Sequence, residues 1–105
     1  MDKKIEVSML LDLYKGLLTD KQAETIELYH NEDLSLSEIA ENTGITRQGV
    51  RDALVKGEKI LTEAEEKLGL GKRIEMLESR LREITRLVKN SGTAEEILKL
   101  SEIGE

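Results

Sequence analysis

The side chains that could do chemistry are concentrated between positions 46 and 56: Thr46, Arg47, Gln48, Arg51 and Lys56. Arginine bonds bidentately to guanine and glutamine to adenine, while a threonine at a helix start can share a phosphate with the free backbone N–H groups there. Each good bidentate pairing discriminates between bases by about 1–3 kcal/mol. Lys56, together with Lys59, adds charge for the phosphate backbone. Asp52 and Val55 complete the outward-facing set, and Asp52 repels phosphate unless it accepts from a cytosine.

These residues read a duplex only if a helix presents them on one convex edge. The stretch LSLSEIAENTGITRQGVRDAL, positions 34–54, has the layout of two short helices joined by a glycine turn. In a helix-turn-helix the first helix approaches the second so closely that a small residue is needed between them, and the turn needs a residue that tolerates left-handed backbone. Ala40 and Gly44 stand at those two places. Leu36, Ile39, Ile45, Val50 and Leu54 have the spacing to seal a small core. Ser35-Leu-Ser-Glu38 reads as a capping box, and Thr46 can cap the following helix. The plainer alternative is a helical hairpin whose polar face meets only water.

The flanking chain reads as helices too. Leu10, Leu13 and Leu17, with Leu11, Tyr14 and Leu18, predict a first helix over 4–16 that stops at Gly16. Thr19-Asp-Lys-Gln22 is a second capping box, opening a helix to about Tyr29 that buries Ala23, Ile26 and Tyr29. From Arg47 nothing breaks the helix until Gly69-Leu-Gly71. Gly49 and Gly57 each weaken it by roughly 1 kcal/mol relative to alanine, so tertiary packing must compensate. Beyond the glycines, Ile74, Leu77, Leu81, Ile84 and Val88 step by three and four residues on a helix of about 18 residues. Asn90-Ser-Gly92 then breaks the chain, and Thr93 can cap a last short helix carrying Ile97, Leu98 and Ile103.

Composition narrows the function. With 105 residues, no proline, phenylalanine, tryptophan or cysteine, and an aliphatic core, the chain is all-α and too small for an enclosed catalytic cavity. The absence of cysteine fits a reducing compartment, and no apolar run approaches the roughly 20 residues that span a bilayer, so the expected location is the cytoplasm. The single histidine, His30, is expected at an exposed helix end; Glu27-x-x-His30 has a di-iron spacing but lacks the second such pair a metal site needs. Gly71-Lys72 resembles a phosphate loop, yet Glu66 stands where the first glycine belongs and Arg73 where Ser or Thr should be. No metal, no cofactor and no enzyme activity are expected.

Formal charge is −6, with 22 acidic against 16 basic side chains. Positions 1–45 hold 4 basic and 10 acidic residues, 46–60 hold 4 and 2, and 61–105 hold 8 and 10, so the reading segment alone is positive. Screening over about 8 Å at physiological salt leaves a local contact intact despite the acidic remainder. Affinity for nucleic acid should still be weak, because few phosphates are neutralised. Arg80, Arg82, Arg86 and Lys89 offer a second basic strip for RNA or a partner, although the helix dipole and a Glu78–Arg82 pair explain it better. The Ile74–Val88 stripe needs a cover, either the N-terminal helices or a second subunit. A homodimer is expected, placing two reading helices about 34 Å apart for successive grooves.

The segment LLTDKQAETIELYHNEDLSLSEIAENTGITRQGVRDALVKGEKIL resembles region 4 of bacterial sigma factors. The longer run from LLDLYKGLLTDKQ through EKLGLGKRIEMLESRL resembles the small YlxM-like family of Gram-positive bacteria, over about residues 5–90. The resemblance implies an all-α, sigma-region-4-like helix-turn-helix bundle with long C-terminal helices. Members of that family are typically encoded beside the signal recognition particle GTPase, so the resemblance also implies a regulator or accessory component of that protein-targeting pathway. Thr43 departs from the pattern, since an apolar turn residue is more usual there, and 91–105 match nothing in it.

These readings combine into an expected organisation: a helix-turn-helix domain over 1–60 with its recognition helix at 46–60, continuing to 68; a C-terminal helical extension over 61–90 for packing or dimerisation; and a short helix or tail over 91–105. The expected function is DNA-binding regulation through Thr46, Arg47, Gln48, Arg51 and Lys56. The alternative is an adaptor that does not bind DNA and contacts the signal recognition particle RNA or its GTPase.

Overall fold

A computed structural model describes residues 3–89, among which the chain is all-α, with no strand. Five helices follow in order: α1 (Lys3–Tyr14), α2 (Asp20–Ile26), α3 (Leu36–Thr43), α4 (Arg47–Leu68) and α5 (Leu70–Leu87). The chain divides into two units, Met1–Gly71 and Lys72–Glu105. The expected last helix, with Ile97, Leu98 and Ile103, lies outside the described residues. No described helix is long and apolar enough to cross a membrane.

Both capping boxes form. Thr19 accepts from the Gln22 N–H while the Gln22 side chain accepts from the Thr19 N–H, and Ser35 and Glu38 repeat the arrangement. Each pair satisfies backbone donors that a helix start otherwise leaves to water. The first helix ends earlier than its apolar spacing predicts. α1 stops at Tyr14 and a tighter 3-10 turn, Lys15–Leu17, follows, leaving Leu17 57% exposed instead of on the buried face.

α4 is the spine of the first unit and meets α1, α2 and α3. Around it lie Val7, Leu10, Leu11 and Tyr14 from α1, Ala23 and Ile26 from α2, Ile39 from α3, and its own Val50, Leu54, Leu61 and Ala64. Ile26, Ile39 and Val50 are wholly excluded from water, and burying each such side chain contributes roughly 1.5–3 kcal/mol. At Gly57 α4 passes close to α2: a Cβ there would stand 2.7 Å from Ile26 Cδ1 and 3.4 Å from Gln22 Cβ. The helix-weakening glycine is thus offset by the contact that its missing side chain permits.

Two positions after α2 are exchanged relative to expectation. Tyr29 is 38% exposed, whereas His30 is buried at 7%. The cause is a π-helical turn over Glu27–Asn31, whose wider winding moves the inward-facing position one residue along the chain. His30 Nε2 pairs with the Glu58 carboxylate of α4, and the Tyr29 ring meets the imidazole edge to face at 5.0 Å. His30 therefore ties the segment after α2 to α4 and does not sit at an exposed helix end.

Thr25 is fully buried on α2 and its hydroxyl has no hydrogen-bond partner. An unsatisfied buried hydroxyl costs desolvation without return, so the isosteric Thr25→Val removes a penalty. Chemical denaturation should show this variant equal to wild type or more stable by about 1 kcal/mol. A clear loss of stability would reveal that the hydroxyl is bonded in solution.

Sequence spacing gave no sign of the clasp at the end of α4. Gly69 takes left-handed backbone (φ 64°), and the Tyr14 hydroxyl donates to Glu65 Oε1 at 2.8 Å. The Leu70 N–H donates to the Tyr14 oxygen at 3.1 Å and the Gly71 N–H to Glu65 Oε1 at 2.9 Å, so two donors at the start of α5 are capped by side chains from α1 and α4. Burial, followed by the Glu65 contact, raises the Tyr14 pKa above its ordinary value.

Candidate nucleic-acid interface

The helix-turn-helix is built as its residue types require. α3 ends where Gly44 adopts φ 74°, in the left-handed region that glycine enters without a Cβ penalty, and the Gly44 N–H closes on Ala40 O at 3.0 Å. Ala40 is half-buried and packs with Leu36 and Ile45 against a core containing Ile39, Val50 and Leu54. Thr43, polar where an apolar residue is more usual, donates its hydroxyl to Ile39 O at 2.8 Å. That bond satisfies the hydroxyl within its own helix, so the turn accepts threonine without leaving a polar group stranded.

α4 starts at Arg47 because Thr46 holds extended backbone and its hydroxyl accepts from the Gly49 N–H at 3.0 Å. Past this cap the helix buries Val50, Leu54, Gly57 and Leu61 and turns its other side to solvent. Thr46, Arg47, Gln48, Arg51, Asp52, Val55 and Lys56 are all exposed, Val55 at 57%. Arg47, Arg51 and Val55 form one row at four-residue spacing, and Gln48, Asp52 and Lys56 the next.

Arg47, Gln48 and Arg51 line one shallow concavity of about 430 Å³, walled on the other side by Leu36 of α3. Among the described residues neither arginine has an ion pair or hydrogen bond, so both guanidinium groups are available to an external acceptor. Gln48 Nε2 donates to Asp52 Oδ1 at 3.2 Å, which orients the amide and covers part of the acidic charge on this face. Lys56 does not line the concavity. It lies five residues beyond Arg51, about 7.5 Å further along the helix axis. Leu36 forms the far wall, although its spacing marks it only as a core position.

The α3 cap has an electrostatic signature. The N–H and then the hydroxyl of Ser35, both bonded to the Glu38 carboxylate, hold its pKa below the ordinary 4.5. A carboxyl more acidic in the folded than in the unfolded chain stabilises the fold above the unfolded value and loses that contribution as pH falls through the folded one. The deficit in melting temperature of Glu38→Ala against wild type should therefore be full at pH 7 and narrow steadily below pH 4.5. A deficit that does not change down to pH 2 would mean that the carboxylate charge contributes nothing to the cap.

Comparison with known proteins gives the same motif. Residues 1–101 match the family model described as "Putative helix-turn-helix protein, YlxM / p13 like". A UPF0122 protein of Acetivibrio thermocellus is 46% identical over 90 residues, covering 86% of this chain and 77% of its own length. One from Desulforamulus reducens is 45% identical over 98 residues, covering 91% and 84%. A third, from Halalkalibacterium halodurans, is 38% identical over 102 residues, covering 97% and 94%. With a helix-turn-helix in its first unit and a family match across almost all of its length, the chain belongs to the UPF0122 family of YlxM / p13-like helix-turn-helix proteins.

Proposed function

We propose that the protein is a non-enzymatic, cytoplasmic DNA-binding regulator that enters the major groove with the N-terminal half of α4. Arg47 and Arg51 make the base or phosphate contacts, Gln48 exchanges Asp52 for an adenine edge, Thr46 and the helix start approach a phosphate, and Lys56 meets the backbone further along. The observation that carries this reading is the pair of exposed guanidinium groups without partners among the described residues, side by side with Gln48 on the outward edge of a capped helix. A homodimer would present two such edges to one duplex. The resemblance to the YlxM-like family supports a place in the signal recognition particle pathway.

Fluorescence anisotropy with a mixed-sequence duplex tests the proposal. Binding should be detectable at micromolar protein in 50 mM salt and weaken steeply towards 200 mM as counterions are retained on the DNA. No binding at tens of micromolar protein in 50 mM salt would overturn it.

One observation favours the adaptor reading. Between Leu70 and Lys89 there are six basic residues against three acidic, and Ser79, Arg82, Glu83 and Arg86 line a second concavity of about 390 Å³. An adaptor would use that strip for the particle's RNA, or α5 for its GTPase. RNA or GTPase binding that survives loss of Arg47 and Arg51 would select this reading.

A further inference from the structure

Described as heptads, α5 places Ile74, Leu81 and Val88 at position a, and Leu77 and Ile84 at position d. Four of these are exposed: Ile74 39%, Leu77 58%, Leu81 36% and Ile84 47%. A continuous apolar seam of this kind, with polar residues on the opposite face, is the surface a second helix covers. Charge at the seam's edges identifies the occupant and its direction.

We propose that α5 pairs with α5 of a second copy, parallel and in register, with Arg73 bonded to the partner subunit's Glu78. The proposal deepens the homodimer named above and rests on it. Arg73, Arg80 and Leu87 occupy g positions, and Glu78 and Thr85 e positions. In a parallel pair each g residue faces the e residue of the partner's next heptad, so Arg73 meets the partner subunit's Glu78 twice by symmetry, and Arg80 meets neutral Thr85. In an antiparallel pair g faces g and e faces e. Stacking Ile74 on Ile84 and Leu77 on Leu81 would then bring Arg80 beside the partner subunit's Arg80 and Glu78 beside the partner subunit's Glu78. Both contacts join like charges, so the edge residues exclude that direction while rewarding the other.

One further feature agrees: both partners of the ion pair are accessible to it. Arg73 has no partner among the described residues, and Glu78 has only a 3.9 Å contact to Arg82, with both side chains mostly exposed. Lys72, Ser79, Arg82 and Arg86, at the b and f positions, remain on the outer surface of the pair.

The chain has no cysteine, so single substitutions report the pairing directly. Full-length Ile74→Cys and Ile84→Cys variants should each form a disulfide-linked dimer with themselves under mild oxidation. Arg73→Glu should weaken the dimer by tenfold or more in sedimentation equilibrium, and adding Glu78→Arg should restore it. A protein that stays monomeric at hundreds of micromolar would overturn both the pairing and the homodimer. Crosslinking only in a mixture of the two cysteine variants would leave the homodimer standing and overturn the parallel arrangement. A dimer unmoved by Arg73→Glu would overturn the ion pair.

Discussion

Replacing Arg47 and Arg51 together by alanine is expected to lower duplex affinity by about 30-fold and to flatten the dependence of log affinity on log salt by one to two units. Each arginine is expected to contribute about 1 kcal/mol, the lower end of the range for a charged contact to a base, because the site is exposed and the rest of the protein is acidic. Stability is expected to stay within about 0.5 kcal/mol of wild type, since neither side chain is buried or engaged with a described residue. Anisotropy at several salt concentrations, paired with thermal unfolding of the same samples, separates lost contacts from lost fold. Equal affinity of the double variant and wild type would remove α4 from the interface. Gln48→Ala should relax base preference more than it weakens overall affinity, because a glutamine amide carries no charge for the phosphates.

The second large effect concerns the scaffold. Gly57→Leu is expected to destabilise the protein by about 2–3 kcal/mol, because Ile26 is wholly buried where α4 crosses α2 and a side chain at 57 forces the two helices apart. Gly57→Ala is the informative companion. It gains about 1 kcal/mol of helix propensity but meets Ile26 Cδ1, so the two terms nearly cancel. Urea unfolding of the three proteins gives the comparison, and a leucine variant as stable as wild type would mean that α2 and α4 do not touch at this point. Parting them would also disturb the His30 pair made by Glu58, the next residue of α4, so the imidazole resonances should shift in the same variant.

The sequence by itself determined the local architecture, because local signals act over three or four residues and need no partner. Thr19, Ser35 and Thr46 start their helices as their hydroxyls dictate, and Gly44 turns because only a residue without Cβ enters left-handed backbone cheaply. The seal of Ile39, Val50 and Leu54 was likewise legible, since it follows from helical spacing on two adjacent elements. So was the exposure of Thr46, Arg47, Gln48, Arg51 and Lys56, on the other side of the same helix.

Tertiary structure decided the points where the spacing of apolar residues is ambiguous or distant segments meet. A residue three or four positions after Ile26 can face inward, so spacing alone could not choose between Tyr29 and His30; the π-helical turn chose His30 and gave it Glu58, a residue 28 positions away. Gly57 reads as a defect in α4 until Ile26 is set against it. The Tyr14–Glu65 clasp joins residues 51 apart, and Leu36 becomes a wall of the arginine concavity only when α3 lies on α4. Such long-range contacts depend on how whole helices cross, and that is fixed by the best joint burial of their apolar faces rather than by any one stretch of the chain.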